Sequence, residues 1–185
     1  MPEPNSLETK SKGVNEIKHF DYFAPTEIIF GAGRVTEAGA LAARYGKKAM
    51  LVTVPEFPAV AELYAKVKKS LSDAGVACVH YDGVIPNPTT ELVTRGAELA
   101  KAEGVDVVIG LGGGSSMDTA KAIAVEATHP GTAWDYNCHT AGPTEQTLPI
   151  LAISTTAGTG SQTTPCAVIT KTSAKDKSAI WNKNI

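Results

Sequence analysis

The sequence predicts an α/β fold, in which helices flank a parallel sheet, and three observations carry that prediction. Short apolar runs rich in β-branched residues alternate with longer segments whose apolar positions recur at helical spacing. One run, Asp106 to Leu111, is almost wholly apolar, as expected of a parallel strand covered on both faces. Two of the runs end in loops of Gly, Ser and Thr. Such alternation favours parallel strands joined by right-handed crossovers.

Length and composition agree with a single sizeable core. A chain of 185 residues, 43% hydrophobic and 19% charged with a net charge of −2, buries roughly 70% of its unfolded surface on folding. It lacks the basic excess of a nucleic-acid binder and the polarity of a disordered tail, so no nucleic-acid partner is expected. Residues 1–19 are polar and read as a flexible leader without the apolar stretch of a signal peptide. No later run approaches the roughly 18 apolar residues of a membrane span, so no membrane partner is expected either. Residues 20–185 are left as one nucleotide-binding α/β unit.

Taken in order, Tyr22 to Phe30 is aromatic and β-branched but broken by Pro25, which predicts an N-terminal edge strand entering the turn Gly31-Ala32-Gly33. Val35, Ala38, Leu41 and Ala42 predict an amphipathic helix over Arg34 to Tyr45, stopped by Gly46. Lys48 to Val54 is a strand, and Ala59 to Ala74 a helix through Val60, Leu63, Val67 and Leu71, closed by Gly75. Val76 to Tyr81 is the next strand. After the rigid turn Pro86-Asn87-Pro88, Thr89 is placed to cap a helix that carries Leu92, Val93, Ala97 and Leu99. Asp106 to Leu111 then leads into the glycine run, and Leu148 to Ile153 into the loop Ser154 to Ser161. Ala167 to Ile180 reads as a C-terminal β-hairpin with polar residues at its tip.

The glycine run is the strongest chemical signal. At Gly112-Gly113-Gly114-Ser115 a buried strand gives way to residues without side chains and then to a helix whose first amides lack intrahelical acceptors. Missing Cβ atoms let a pyrophosphate reach the backbone, and the helix dipole favours negative charge there. Ser115 is placed to cap that helix, with Asp118 three positions on as in a capping box. Ala120, Ala124 and Ala127 allow close packing on the sheet. The bland alternative is a tight strand-to-helix turn; the parallel-sheet context favours a nucleotide and a Rossmann-like sheet, because ligands of such sheets bind beyond the strands' C-terminal ends. Thr155, Thr156, Thr159 and Ser161 add hydroxyls in the second loop. Gly31-Ala32-Gly33 is read as an ordinary turn, since Thr36 stands where a third glycine would complete a dinucleotide fingerprint. No Walker sequence is present.

Cys78, Cys138 and Cys166 are odd in number and widely spaced, which disfavours a disulfide framework or zinc knuckle and suits a reducing compartment, the cytoplasm. Asp135, Cys138 and His139 fit no zinc spacing, and Cys138 has no partner pattern for a nucleophile.

GGGSSMDTAKAIAV followed by STTAGTGSQTTPCAVIT, with PNP upstream and the opening FDYFAPTEIIFGAGRV, closely resembles the iron-containing alcohol dehydrogenase family. The resemblance spans Phe20 to the end. Glycerol dehydrogenases and dehydroquinate synthases share the fold and the triple-glycine turn, but mostly lack the TTAGTGS loop. The resemblance implies an N-terminal NAD- or NADP-binding domain followed by an all-helical domain, absent from this sequence, that holds iron(II) through one aspartate and three histidines. Those ligands lie beyond Ile185, so no metal ligand and no catalytic residue is expected here, with Asp118 near the nicotinamide as the one candidate. Gly112, Gly113, Gly114 and Ser115 would meet the pyrophosphate, and Thr155, Thr156 and Thr159 would line the crevice. Asn87 would lie on the adenosine side, and Lys177 would reach the ribose.

Three departures from the family pattern stand out. Val54 occupies the place where NAD-preferring members carry an aspartate that repels a 2′-phosphate, so NADP is admitted, although Glu56 is near in sequence. Gln162 replaces a glutamate, and Ser154 a proline. The function implied is the cofactor-binding portion of an oxidoreductase interconverting a primary alcohol and its aldehyde, with the 185 residues inactive alone. The alternatives are a stand-alone dinucleotide-binding module and a glycerol dehydrogenase- or dehydroquinate synthase-like enzyme. Apolar surface where a helical domain would dock suits self-association into a homo-oligomer.

Overall fold

A computed structural model describes residues 24–185. Its centre is a four-stranded parallel sheet of β1 (Lys48–Val52), β2 (Ala77–Tyr81), β3 (Val107–Gly112) and β4 (Ile150–Ser154), in the spatial order β2-β1-β3-β4. Register is fixed by pairs such as Met50↔Val79, Met50↔Val108 and Gly110↔Ala152. Four helices connect or precede the strands: α1 (Ala38–Ala42), α2 (Pro58–Asp73), α3 (Thr90–Glu103) and α4 (Gly114–Glu126). An antiparallel hairpin, β5 (Cys166–Lys171) and β6 (Asp176–Trp181), follows, with Lys175 at φ +51 in its turn.

Period-two alternation in the strands splits the core into two layers. Leu51, Val107, Ile109 and Leu111 face α1 and α2, where Ala42, Tyr64, Val67 and Leu71 are buried with them. Met50, Val52 and Val108 face the opposite side and join Val93, Ala100, Ala120 and Ile123 of α3 and α4. The split follows from connection handedness. The step from β1 to β2 runs one way across the sheet and the steps to β3 and β4 run the other, so right-handed crossovers send α2 to one face and α3 and α4 to the other.

Local signals set most boundaries. Pro58 sits at the start of α2, where its missing N–H costs no bond. The Thr89 hydroxyl accepts from the Leu92 N–H at 3.4 Å, as expected of the cap of α3, and Gly104 ends that helix at φ +62. At Gly110, an added Cβ would stand 2.9 Å from both the Met117 Cα and the Ala120 Cβ, so its lack of a side chain lets α4 lie directly on β3.

Two expectations are corrected. The edge strand expected over Tyr22 to Phe30 does not form: residues 24–30 belong to no strand, and Tyr22 and Phe23 lie outside the described residues, as does the leader. Pro25 removes a ladder donor, and Ile28 and Phe30 stand 69% and 92% exposed, so no buried face anchors the segment. The helix expected over Arg34 to Tyr45 is instead a 3₁₀ turn, Arg34–Glu37, running into the five-residue α1. Gly39 sits against the Ser70 carbonyl of α2, and its amide donates to Ser70 Oγ at 2.8 Å.

Candidate functional site

Strand order reverses between the parallel neighbours β1 and β3, where the connections leave toward opposite faces, and it is at such a point that crevices open beyond the strands' C-terminal ends. Gly112 closes β3 at φ +145, a conformation that L side chains rarely adopt, and an added Cβ would stand 2.5 Å from Ser116 Oγ. Gly113 is the N-cap of α4 and supplies no side chain to it. The expected capping box of Ser115 and Asp118 is therefore absent, because Asp118 faces the hairpin and the Thr155–Ser161 loop segment instead. A capping box does form elsewhere: Thr132 and Asp135 close one at the 3₁₀ turn Ala133–Tyr136. The consequence at α4 is an open helix end, with the Gly114 and Ser115 amides lacking intrahelical acceptors and free for an anion.

The second loop closes over that helix end. The Thr155 amide donates to the Gly112 carbonyl at 3.0 Å. A Cβ on Gly113 would stand 3.6 Å from Thr156 Oγ1, and one on Gly114 would stand 2.7 Å from Thr159 Cγ2. Thr155, Thr156 and Thr159 are exposed, so their hydroxyls are accessible at the edge of the glycine turn.

Beside this junction lies a cleft of about 360 Å³. It brings together Asn87, Gly114, Ser115, Asp118, Thr159, Ser161 and Lys177, seven positions that the sequence singles out although they lie up to 90 positions apart. Val54, Gly112, Gly113, Thr155 and Thr156 do not line it. Gly112, Gly113, Thr155 and Thr156 form the adjoining loop junction, and Val54 follows β1. The Val54 carbonyl accepts from Thr53 Oγ1 at 2.8 Å and from the Tyr64 hydroxyl at 3.3 Å, which fixes its backbone. His80 Nε2 pairs with the same Thr53 hydroxyl at 2.9 Å. Burial holds the His80 ring below its ordinary pKa, assisted by Lys68 and opposed by Asp82 and Glu56.

On the far wall, Asn87 takes φ +55, a left-handed conformation that asparagine tolerates better than most residues. Lys177 Nζ donates to Asn87 Oδ1 at 2.8 Å, tying the hairpin to the Pro86-Asn87-Pro88 turn. The Thr170 amide reinforces the tie by donating to the Pro88 carbonyl at 2.8 Å.

Sequence reasoning picks out Asp118 and Ser161 here but passes over Lys121, which is buried and does not itself line the cleft. Asp118 Oδ1 accepts from Ser161 Oγ at 2.7 Å and Oδ2 from the Val168 N–H at 3.1 Å. Lys121, one turn further along α4, is 3% exposed and donates to the carbonyls of Ser161, Thr164 and Cys166 at 2.7, 2.6 and 2.8 Å. Burial lowers its pKa, and Asp118 opposes that. The available signal was one lysine in the otherwise apolar stretch Ala120-Lys121-Ala122-Ile123-Ala124-Val125. Cys166 also lines the cleft, its thiol pushed up by burial and by Asp118.

Among the described residues, no group of three or more His, Cys, Asp or Glu side chains is arranged to hold a metal ion. His129 serves the scaffold. Its Nε2 accepts from the Thr144 amide at 3.0 Å, which leaves Nδ1–H to donate to the Val125 carbonyl at 2.9 Å. No described helix is long and apolar enough to cross a membrane.

Residues 25–185 match the model of a family described as iron-containing alcohol dehydrogenase. The chain is 44% identical over 166 residues to the choline dehydrogenase of Bacillus subtilis, covering 88% of this chain and 41% of that protein. It is 34% identical over 165 residues to the NAD-dependent methanol dehydrogenase of Bacillus methanolicus, covering 89% of this chain and 43% of that one. Its fold superposes with a TM-score of 0.85 on an archaeal halo-thermophilic alcohol dehydrogenase from a Red Sea brine pool, at 42% identity, covering 90% of this chain and 44% of that structure. The chain thus spans less than half the length of these relatives.

Proposed function

The chain belongs to the iron-containing alcohol dehydrogenase family, and on that premise we propose that it forms the dinucleotide-holding part of an oxidoreductase interconverting a primary alcohol and its aldehyde. The observation that carries the reading is the open N-terminus of α4 at Gly113 and Gly114, facing Thr156 and Thr159 beside a cleft large enough for part of a dinucleotide. Choline and methanol, in the names of two relatives, are both primary alcohols.

In this reading the cofactor is NAD or NADP. Gly112, Gly113, Gly114 and Ser115 take the pyrophosphate, because only backbone without side chains admits an anion so close to a helix N-terminus. Thr155, Thr156 and Thr159 hydrogen-bond it from the facing loop. Asn87 and Lys177 hold the adenosine and ribose portions, already paired with each other at 2.8 Å. Asp118 stands toward the nicotinamide. Val54, apolar after β1, leaves room for a 2′-phosphate that an aspartate would repel. When bound, the nicotinamide accepts hydride at C4.

The described residues do not fit an iron site. In this reading iron and the alcohol pocket rest on residues other than the described ones. This reading places the protein in the cytoplasm, which three free cysteines, two of them exposed, support.

Titration of the 185-residue chain with NAD(H) and NADP(H), beside an alcohol-oxidation assay, tests the reading. Binding without turnover is expected. Sustained ethanol or butanol oxidation by the chain alone, or a folded chain that binds neither cofactor, refutes it.

A further inference from the structure

We propose that Lys121 is a positioning residue of the cleft: its ammonium locks residues 161–166 against α4 and balances the charge of Asp118. An ammonium carries three N–H donors, and here three carbonyls of one segment receive them, at 2.6–2.8 Å. None of the ion pairs among the described residues includes Lys121, so no carboxylate cancels its charge by direct contact. A buried ammonium is costly, and packing alone would be served by an apolar side chain of similar length. The ammonium supplies three donors that Met lacks, although the Ser161 carbonyl also accepts from the Thr164 N–H at 3.4 Å.

The segment needs such an anchor. Residues 156–164 belong to no strand, and their backbone–backbone bonds, Thr163 N–H to the Gly160 carbonyl and Thr164 N–H to the Ser161 carbonyl, are local ones. Ser161, Thr164 and Cys166 nonetheless line the cleft. Asp118, three residues before Lys121, holds the same region through its opposite polarity, accepting the Ser161 hydroxyl and the Val168 N–H. The two charges therefore grip one segment from a single helix and offset each other's field at the cleft floor.

A functional consequence rests on reading this floor as the nicotinamide end. The oxidised ring is positive and the reduced ring neutral. Removing the Lys121 charge leaves that of Asp118 and favours NAD+ over NADH; removing the Asp118 charge does the reverse. At the effective dielectric of a partly buried site, the change in the NADH-to-NAD+ ratio of Kd values is roughly threefold to tenfold.

The experiment compares the 185-residue chain with Lys121→Met, Lys121→Arg and Asp118→Asn. Amide hydrogen exchange without cofactor is expected to accelerate over residues 161–166 in both Lys121 variants while β1 and β3 stay protected. In titrations, the Kd ratio is expected to rise in Lys121→Met, stay near that of the parent in Lys121→Arg and fall in Asp118→Asn. Unchanged exchange in the Lys121 variants overturns the inference, as does an unchanged ratio in Lys121→Met and Asp118→Asn. Should Lys121→Met not fold, Lys121→Arg still decides the lock. Asp118→Asn still decides the charge, because its amide keeps both bonds by donating to Ser161 Oγ. A parent chain that binds neither cofactor overturns the nicotinamide reading, and the exchange comparison then judges the lock by itself.

Discussion

At the scale of single residues, the site is built from groups whose neighbours decide their chemistry. His80 shares the Thr53 hydroxyl that also bonds the Val54 carbonyl, and burial depresses its pKa below 6.5 with help from Lys68 and against Asp82 and Glu56. A base with a depressed folded pKa contributes stability that is present above pH 6.5 and lost as pH falls through the folded value. Urea unfolding is therefore expected to show the parent losing more stability than His80→Gln between pH 7.5 and 5.5. Discounted for the solvent reaching this partly exposed ring, the difference is on the order of a few tenths of a kcal/mol. Equal losses would remove His80 as the source. At Val54, substitution by Asp is expected to weaken NADP binding about tenfold and leave NAD near its parent value, since a carboxylate there opposes a 2′-phosphate. Parallel titrations decide it, and unchanged NADP affinity ends the argument.

At the scale of elements, the packing of α4 on β3 positions the cleft. Gly110 lets the helix approach until the Met117 backbone and Ala120 fill the space its side chain would take, and Gly96 admits Ile123 in the same way between α3 and α4. Gly110→Val is expected to cost about 1–3 kcal/mol or more by overpacking, read as a lower urea midpoint with unchanged slope. It also lifts the N-terminus of α4 from the Gly112 turn, so cofactor affinity falls with stability. Gly114→Val differs, because its clash is with the exposed Thr159 side chain at 2.7 Å rather than with core backbone. We expect it to reduce NAD(H) affinity at least tenfold while shifting the urea midpoint little, since about 1.4 kcal/mol of lost binding already gives that factor. Retained affinity in Gly114→Val would refute the phosphate turn.

At the scale of the whole molecule, one sheet gathers loops from distant parts of the chain at one end. Turns after β2, β3 and β4 and the β5–β6 hairpin meet around the cleft, so a ligand there bridges segments that lie far apart in the chain. Ligand binding to the folded state alone stabilises it by about 2.7 kcal/mol at 100 times Kd. For a domain of this size that corresponds to a Tm increase of roughly 5–10 °C. A thermal melt at saturating NAD(H) measures it, and an unshifted Tm would argue against binding at this cleft.

The sequence by itself determined the order of strands and helices from Lys48 onward, the cap at Thr89, the glycine turn and the hairpin, because periodicity and turn chemistry are local properties. Its motif pair also determined the family, which the match over residues 25–185 bears out. Tertiary structure decided the rest. It withheld a ladder from residues 24–30, which no local pattern can supply without a partner edge. It turned Asp118 from a helix cap into the acceptor for Ser161 and Val168, 43 and 50 residues away. It made Lys121 an internal anchor, because a lysine reads as surface until carbonyls from a distant loop converge on it. Such contacts depend on how the chain returns to itself in three dimensions, and single-sequence spacing carries no record of that return.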